Sequence, residues 1–293
     1  MTITSSQLLA RTYTALLGKI APLPLAEPWD NVGLLLEAPV PRQNATKVFL
    51  TVDLTLEIVA EALADDNVGV IVAYHPPIFS AMKKLALSDV KAHALLQCAG
   101  HGVSILSPHT CLDACKGGIN DWLAGALGPA KAVRNIAELD KGTVAALAPY
   151  SGWDGAGIGR IVTLQEGASL EVMVARIKAF LNLKHVRVAV PAGKTAATHV
   201  VKTVGICAGS GSSVFKRLQQ STDLLFTGEM SHHDVLNATT KGSAVILCEH
   251  SNTERGFLKE TLQARLAQVI NTDGGSIVEV VCSKLDADPL LIV

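Results

Sequence analysis

Three stretches of this chain share one design. VGVIVAYH ends on His75, GVSILSPH on His109 and SAVILCEH on His250. Each is a short, nearly continuous apolar run that stops at an imidazole. A half-exposed strand alternates apolar and polar residues. A strand apolar at almost every position is buried on both faces, as in the parallel sheets of α/β proteins. In open sheets of that kind, ligands gather outside the carboxyl ends of the strands. Pro76 and Pro77 follow His75 and lack the amides a sheet ladder needs, so the strand must stop there. The imidazole is thus placed at a strand end by a stiff turn. A capped core strand and one corner of a ligand site both fit that pattern.

The rest of the sequence alternates in the same way. Strands are predicted at Val48–Val52, Val68–Ala73, Val103–Leu106, Ile158–Leu164, Val186–Val190, Val204–Cys207, Leu224–Phe226, Ala244–Leu247 and Ile277–Val281. Helices are predicted near 5–20, 54–65, 88–99, 118–127, 169–181, 212–220, 232–240 and 254–269. This order implies an α/β fold with helices covering largely buried sheets. With 293 residues, two lobes are expected, a first over 1–135 and a second over 136–293, joined through the Gly-, Pro- and Ser-rich stretch around Gly142–Gly159.

Composition excludes several classes. No apolar run approaches the roughly 18 residues of a membrane span. The net charge of −1 argues against a general nucleic-acid binder. The six cysteines show no CxxC pair and sit mostly in apolar segments, which fits buried thiols of a reducing compartment. A cytoplasmic location is expected. The acid-free start, MTITSSQLLARTYTALLGKI, also mimics a mitochondrial transit peptide, but its leucines fall at helical spacing and are read as a structural first helix.

Two of the three histidines carry an acid four residues on, His109 with Asp113 and His250 with Glu254. In a helical turn these positions share a face. Three imidazoles and two carboxylates form a nitrogen and oxygen donor set suited to Zn, Fe, Mn, Co or Ni. Two carboxylates also allow a pair of ions to be bridged, and a bound metal lowers the pKa of water towards about 7, which suits hydrolysis. A structural reading of the three histidines stands beside this one. Cys111, Cys115 and Cys248 lie close to the ligand segments, but the carboxylates already account for the spacing.

Other residues have two readings. In TGEMSHHD, Glu229 and His232 are candidate catalytic proton carriers; the plainer account is a helix start capped by Ser231 with Asp234 in its first turn. Gly209, Ser210, Gly211 and Ser212 lie between a strand and a helix, where they would cradle a phosphate or simply form a tight turn. Asp53 is read as a helix cap before Leu54.

Taken together, PWDNVGL (28–34), YHPPIF (74–79), SPHTCLDA (107–114), GGIN (117–120), AGSGSS (208–213), TGEMSHHD (227–234) and HSNTERG (250–256) resemble the landmarks of the Nif-three-like family, which includes the bacterial YbgI-type proteins and many GTP cyclohydrolase I type 2 homologues. The resemblance runs in order over nearly the whole chain, in the compact form without a large inserted domain. It implies a three-layer α/β/α fold of two related lobes, a site for two divalent transition-metal ions in the cleft between them, and a homo-hexamer. By it, His75, His109, Asp113, His250 and Glu254 are the metal ligands. Tyr74 stands where the bacterial pattern has another histidine, as in eukaryotic-type members, so the second ion is expected to bind more weakly. The implied function is a metal-dependent hydrolase of a nucleotide-like or phosphorylated small molecule. The alternative is a non-catalytic metal-binding regulator or scaffold that meets a transcriptional co-regulator.

Overall fold

The computed structural model describes residues 6–150, 153–272 and 274–293. They form two compact α/β units, each built on its own sheet. The first comprises Met1–Leu112, Ala145–Trp153 and Leu258–Ala287; the second comprises Asp113–Val144, Asp154–Phe257 and Asp288–Val293. The chain therefore passes from one unit to the other more than once. The first residues of the transit-like segment, positions 151 and 152 of the glycine-rich join, and position 273 lie outside the described residues.

The first unit holds β1 (Gly33–Leu36), β2 (Lys47–Thr51), β3 (Val68–Ala73) and β4 (Ser104–Ser107). The second supplies β5 (Ala130–Arg134), β6 (Arg160–Ser169), β7 (Arg187–Ala189), β8 (Val200–Ser210), β9 (Leu224–Glu229) and β10 (Ala244–Leu247). The last strand, β11 (Glu279–Cys282), returns to the first sheet.

That first sheet has the order β1-β4-β3-β2-β11 and is parallel except for β1. Every residue of β3 is buried, as its unbroken apolar run requires. Phe49, Ile71 and Ile105 pack under Ile58 of the helix Leu56–Leu63 and under Leu95 and Cys98 of Val90–Gly100. The helix Gln7–Tyr13 lies against β3 and Gln263–Thr272 against β11. Ser6 starts the first of these helices, its hydroxyl accepting from Leu9 N–H.

The second sheet has the order β5-β6-β8-β9-β10-β7. β8, β9 and β10 run parallel at its centre, and the flanking strands are antiparallel. Ile161, Cys207, Leu225 and Val245 form its core with Phe215 and Ala238. Two strands go beyond the sequence expectation, β1 and β5, both at sheet edges. The helix expected over 212–220 is one turn, Ser212–Phe215, which seats Phe215 in the core before the chain turns away. Among the described residues no helix is long and apolar enough to cross a membrane.

Candidate metal centre

In the first unit β3 and β4 are parallel neighbours, so their carboxyl ends deliver His75 and His109 to the same sheet edge. The two rings meet edge to face with centroids 5.4 Å apart. Tyr74 is buried beside them, 5.0 Å from the His75 ring and 5.4 Å from that of His109. Beyond β3 the backbone stays tied to β2, because Tyr74 and His75 donate their N–H groups to Thr51 and Val52. Asn31 then donates to the Ile78 carbonyl and pins the turn that follows the two prolines.

Each histidine has a carboxylate behind it. His75 Nδ1 lies 2.9 Å from Asp53 Oδ1. Asp53 is thus not the helix cap expected from sequence. Thr55 takes that place, accepting from Ile58 N–H. His109 Nδ1 lies 2.8 Å from Asp30 Oδ1, and the Thr110 N–H and hydroxyl both donate to the other oxygen of Asp30. Burial alone would raise the Asp30 pKa, but the bonds from His109 and Thr110 outweigh it and hold the carboxyl below its ordinary range. Asp30 therefore accepts as a carboxylate, and His109 donates from Nδ1. His109 itself has φ +27°, a left-handed backbone that a non-glycine residue adopts only under constraint.

In the second unit the parallel strands β8, β9 and β10 bring Gly209, Glu229 and the turn to His250 to one sheet edge. His250 Nδ1 lies 2.9 Å from Glu229 Oε1, and its Nε2 lies 3.4 Å from Glu254 Oε1. Glu254 is 1% exposed. Gly209 (φ +59°) fits tightly beneath this pair: a Cβ there would sit 2.7 Å from His250 Nε2 and 2.7 Å from Glu254 Oε1. Gly228 is equally confined, with a Cβ position 2.8 Å from His250 Cα and 2.7 Å from the Gly209 carbonyl. Thr253 closes the turn, donating to the His250 carbonyl and accepting from Gly209 N–H. Glu249, just before His250, has φ +64° and is gripped by Arg187 of the edge strand β7 at 2.9 Å.

Asp113 sits on the short helix Thr110–Ala114. Buried Asn120 donates to its carbonyl and accepts from Ala208 N–H, and so ties the Asp113 segment to the end of β8. Buried Arg160 adds bonds to the Cys115 carbonyl and to Asp121.

The remaining candidates separate. Glu229 joins His250 directly. His232 stands exposed at the start of the helix His232–Thr240, its ring against that of His233. Ser231 caps that helix by accepting from Asp234 N–H, as the plainer reading expects. In the Gly209–Ser212 segment the Gly209 and Gly211 amides are engaged by Thr253 and by the Glu229 carbonyl, so they are not offered to an anion. Burial pushes the Cys248 thiol up to about 12, so with no cation beside it the thiol stays protonated.

Sequence alone does not mark Asp30 and Asp53 as histidine partners or Asn120 as a brace. Asp30 and Asn120 lie inside the PWDN and GGIN motifs, the one signal that marked them.

A family model described as Duf34/NIF3 (NGG1p interacting factor 3) matches residues 9–289. A Schizosaccharomyces pombe protein named Protein NIF3 homolog is 44% identical, over 91% of each chain. NGG1-interacting factor 3 of Saccharomyces cerevisiae is 42% identical, over 90% of each. The crystal structure of a Bacillus cereus protein related to NIF3 superposes with a TM-score of 0.81 at 20% identity, covering 100% of both chains, and so shares the fold.

Proposed function

The chain belongs to the Duf34/NIF3 family, and on that premise we propose that it is a metal-binding protein holding two divalent transition-metal ions through His75, His109, Asp113, His250 and Glu254. The observation that carries this reading is the carboxylate within 2.8–2.9 Å of Nδ1 in each of the three histidines. A ring that donates from Nδ1 is fixed in the tautomer whose Nε2 carries the lone pair, the form that binds a cation. The glycine floor under His250 and Glu254 supports the same reading, since it keeps both donors close to each other. Tyr74 in place of a further imidazole makes the second ion the weaker one.

The chemistry such an ion supplies is Lewis acidity and a lowered pKa for water. That suits hydrolysis of a nucleotide-like or phosphorylated small molecule. Within the reaction, Asp30, Asp53 and Glu229 hold the imidazoles in register. Glu229 and His232 are the proposed proton carriers, Glu229 through its bond to His250. The hydroxyls of Ser210 and Ser212 are the proposed contacts for a substrate anion. Assembly into a homo-hexamer belongs to the same proposal.

A second reading follows from the yeast relative, whose name states an interaction with NGG1. In that reading the metal braces a surface for a protein partner and turns nothing over.

Metal content per subunit, measured by plasma mass spectrometry with thermal unfolding alongside, tests the proposal on the wild type and on His109→Ala and Glu254→Ala. About two ions per chain, lost in the variants while the fold persists, support a working centre. About one ion places the weakness at Tyr74. If metal removal itself unfolds the protein, the bracing role gains. No metal after reconstitution, with both variants as stable as the wild type, overturns the metal reading.

A further inference from the structure

The chain has three Trp and six Phe residues, and only two of the nine are exposed, Trp29 at 60% and Phe79 at 51%. These two touch each other, edge to face, with centroids 6.1 Å apart. The Trp29 ring also stands edge to face against His109, again at 6.1 Å. The loop that carries Trp29 is held by the two residues that follow it. Asp30 is bonded to His109 and Thr110, and Asn31 to the Ile78 carbonyl just before Phe79. The rings are therefore fixed in place beside a proposed ligand while their faces remain in water. Exposed apolar surface held rigidly next to a polar site marks a binding surface.

We propose that Trp29 and Phe79 form an aromatic platform that stacks a planar heteroaromatic ring of a small-molecule ligand and presents it to the His109 side of the metal centre. Aromatic faces favour flat π-systems, and stacking tolerates any ring with a π-face. The size of the patch favours this occupant over a second copy of the chain. Two rings of about 150–250 Å² each, only partly exposed, fall well short of the roughly 800 Å² per side of a stable protein interface. The platform deepens the metal-centre reading and rests on it only for what happens to the stacked ligand.

Calorimetric titration with guanosine monophosphate and with ribose 5-phosphate tests it, on the wild type and on Trp29→Leu and Phe79→Leu, each metal-loaded and after chelation, with metal content measured in parallel. Phe79 touches Trp29 and no ligand histidine among the contacts described, so its variant probes the platform without disturbing His109. The nucleotide is expected to bind the wild type more tightly than the sugar phosphate. Trp29→Leu should weaken the nucleotide by about 5- to 150-fold and leave the sugar phosphate unchanged. Phe79→Leu should weaken it by less, in the same direction. Nucleotide binding that survives chelation and disappears in Trp29→Leu keeps the platform even if the protein holds no metal. Equal affinity for the two probes, or nucleotide binding untouched by Trp29→Leu in a protein that retains its metal, overturns the platform and leaves the metal centre standing. A variant that changes the sedimentation coefficient but not nucleotide binding assigns the rings to a second copy and also overturns it.

Discussion

The two units hold their histidines by different means. In the first, His75 and His109 are steadied by side chains from elsewhere in the sequence, Asp53 and Asp30, through hydrogen bonds. In the second, His250 keeps one such bond, to Glu229, but is also packed from beneath by Gly209 and Gly228, where not even a methyl group fits. Hydrogen bonds can be weakened in steps. Crowding of backbone against a ligand cannot, because the space is either there or not. The first unit should therefore respond to substitution gradually and the second abruptly.

Gly209→Ala offers the sharpest break. The added carbon would meet both His250 Nε2 and Glu254 Oε1, at a φ that already disfavours alanine. Metal affinity, measured by competition with a chromogenic chelator, should fall at least about 100-fold, and unfolding free energy by about 1–3 kcal/mol. Asp30→Ala comes next. Its side chain is 0% exposed and accepts from four donors, the His109 ring, the Thr110 N–H and hydroxyl and the Asn31 N–H, so removal strands them all. About 1–3 kcal/mol of stability should go, with a 10- to 100-fold loss of metal affinity. Glu229→Gln should be milder, about tenfold in affinity and little in stability, because that carboxylate is 48% exposed and water can replace it. An Asp30→Ala effect on metal affinity larger than that of Gly209→Ala would erase the contrast between the units.

The smallest effect lies away from the centre and is confined to acid. Bonds from Lys47 and from Asn67 hold Asp65 down to about 2. A carboxyl depressed when folded stabilises the fold above its ordinary pKa near 3.8 and loses that contribution as pH falls towards about 2. Denaturant unfolding of Asp65→Asn against the wild type should therefore differ slightly at pH 6 and converge at pH 2. Because the pair is exposed to solvent, salt should narrow the gap further.

The contrast between the units also marks what sequence could reveal. The runs at Val68–Ala73 and Ala244–Leu247 coincide with β3 and β10 residue for residue, because a strand buried on both faces leaves no polar interruption to blur it. Edge strands carry no such mark. AKAVR in β5 is mostly exposed and reads as loop until β6 pairs with it. The histidines could be picked out as strand endings, but their carboxylates could not. His75 and Asp53 are 22 positions apart and His109 and Asp30 are 79 apart, distances at which only the fold decides the pairing. Asp53 reads as a cap for a local reason: an acid just before a helix resembles one, while Thr55 two residues later does that work. Gly209 was legible as a glycine that matters. That its small size makes room for a histidine and a glutamate, and not for a phosphate, depended on where His250 came to rest.

The strand order of the first sheet has a consequence for how the protein is made. β11 pairs with β2 and covers it, yet it follows all the other described strands in sequence. On the ribosome, every strand of the second sheet is synthesised before the first sheet can be completed. Throughout that interval β2 presents an unpaired, apolar edge, the kind of surface that recruits a strand from another molecule. No cut that divides the chain once yields both units intact, so a nascent chain stalled before Glu279 is an incomplete first unit tethered to a second unit with all six of its strands. Translation past that point covers β2 and leaves the short, more exposed strand β11 as the edge of the sheet.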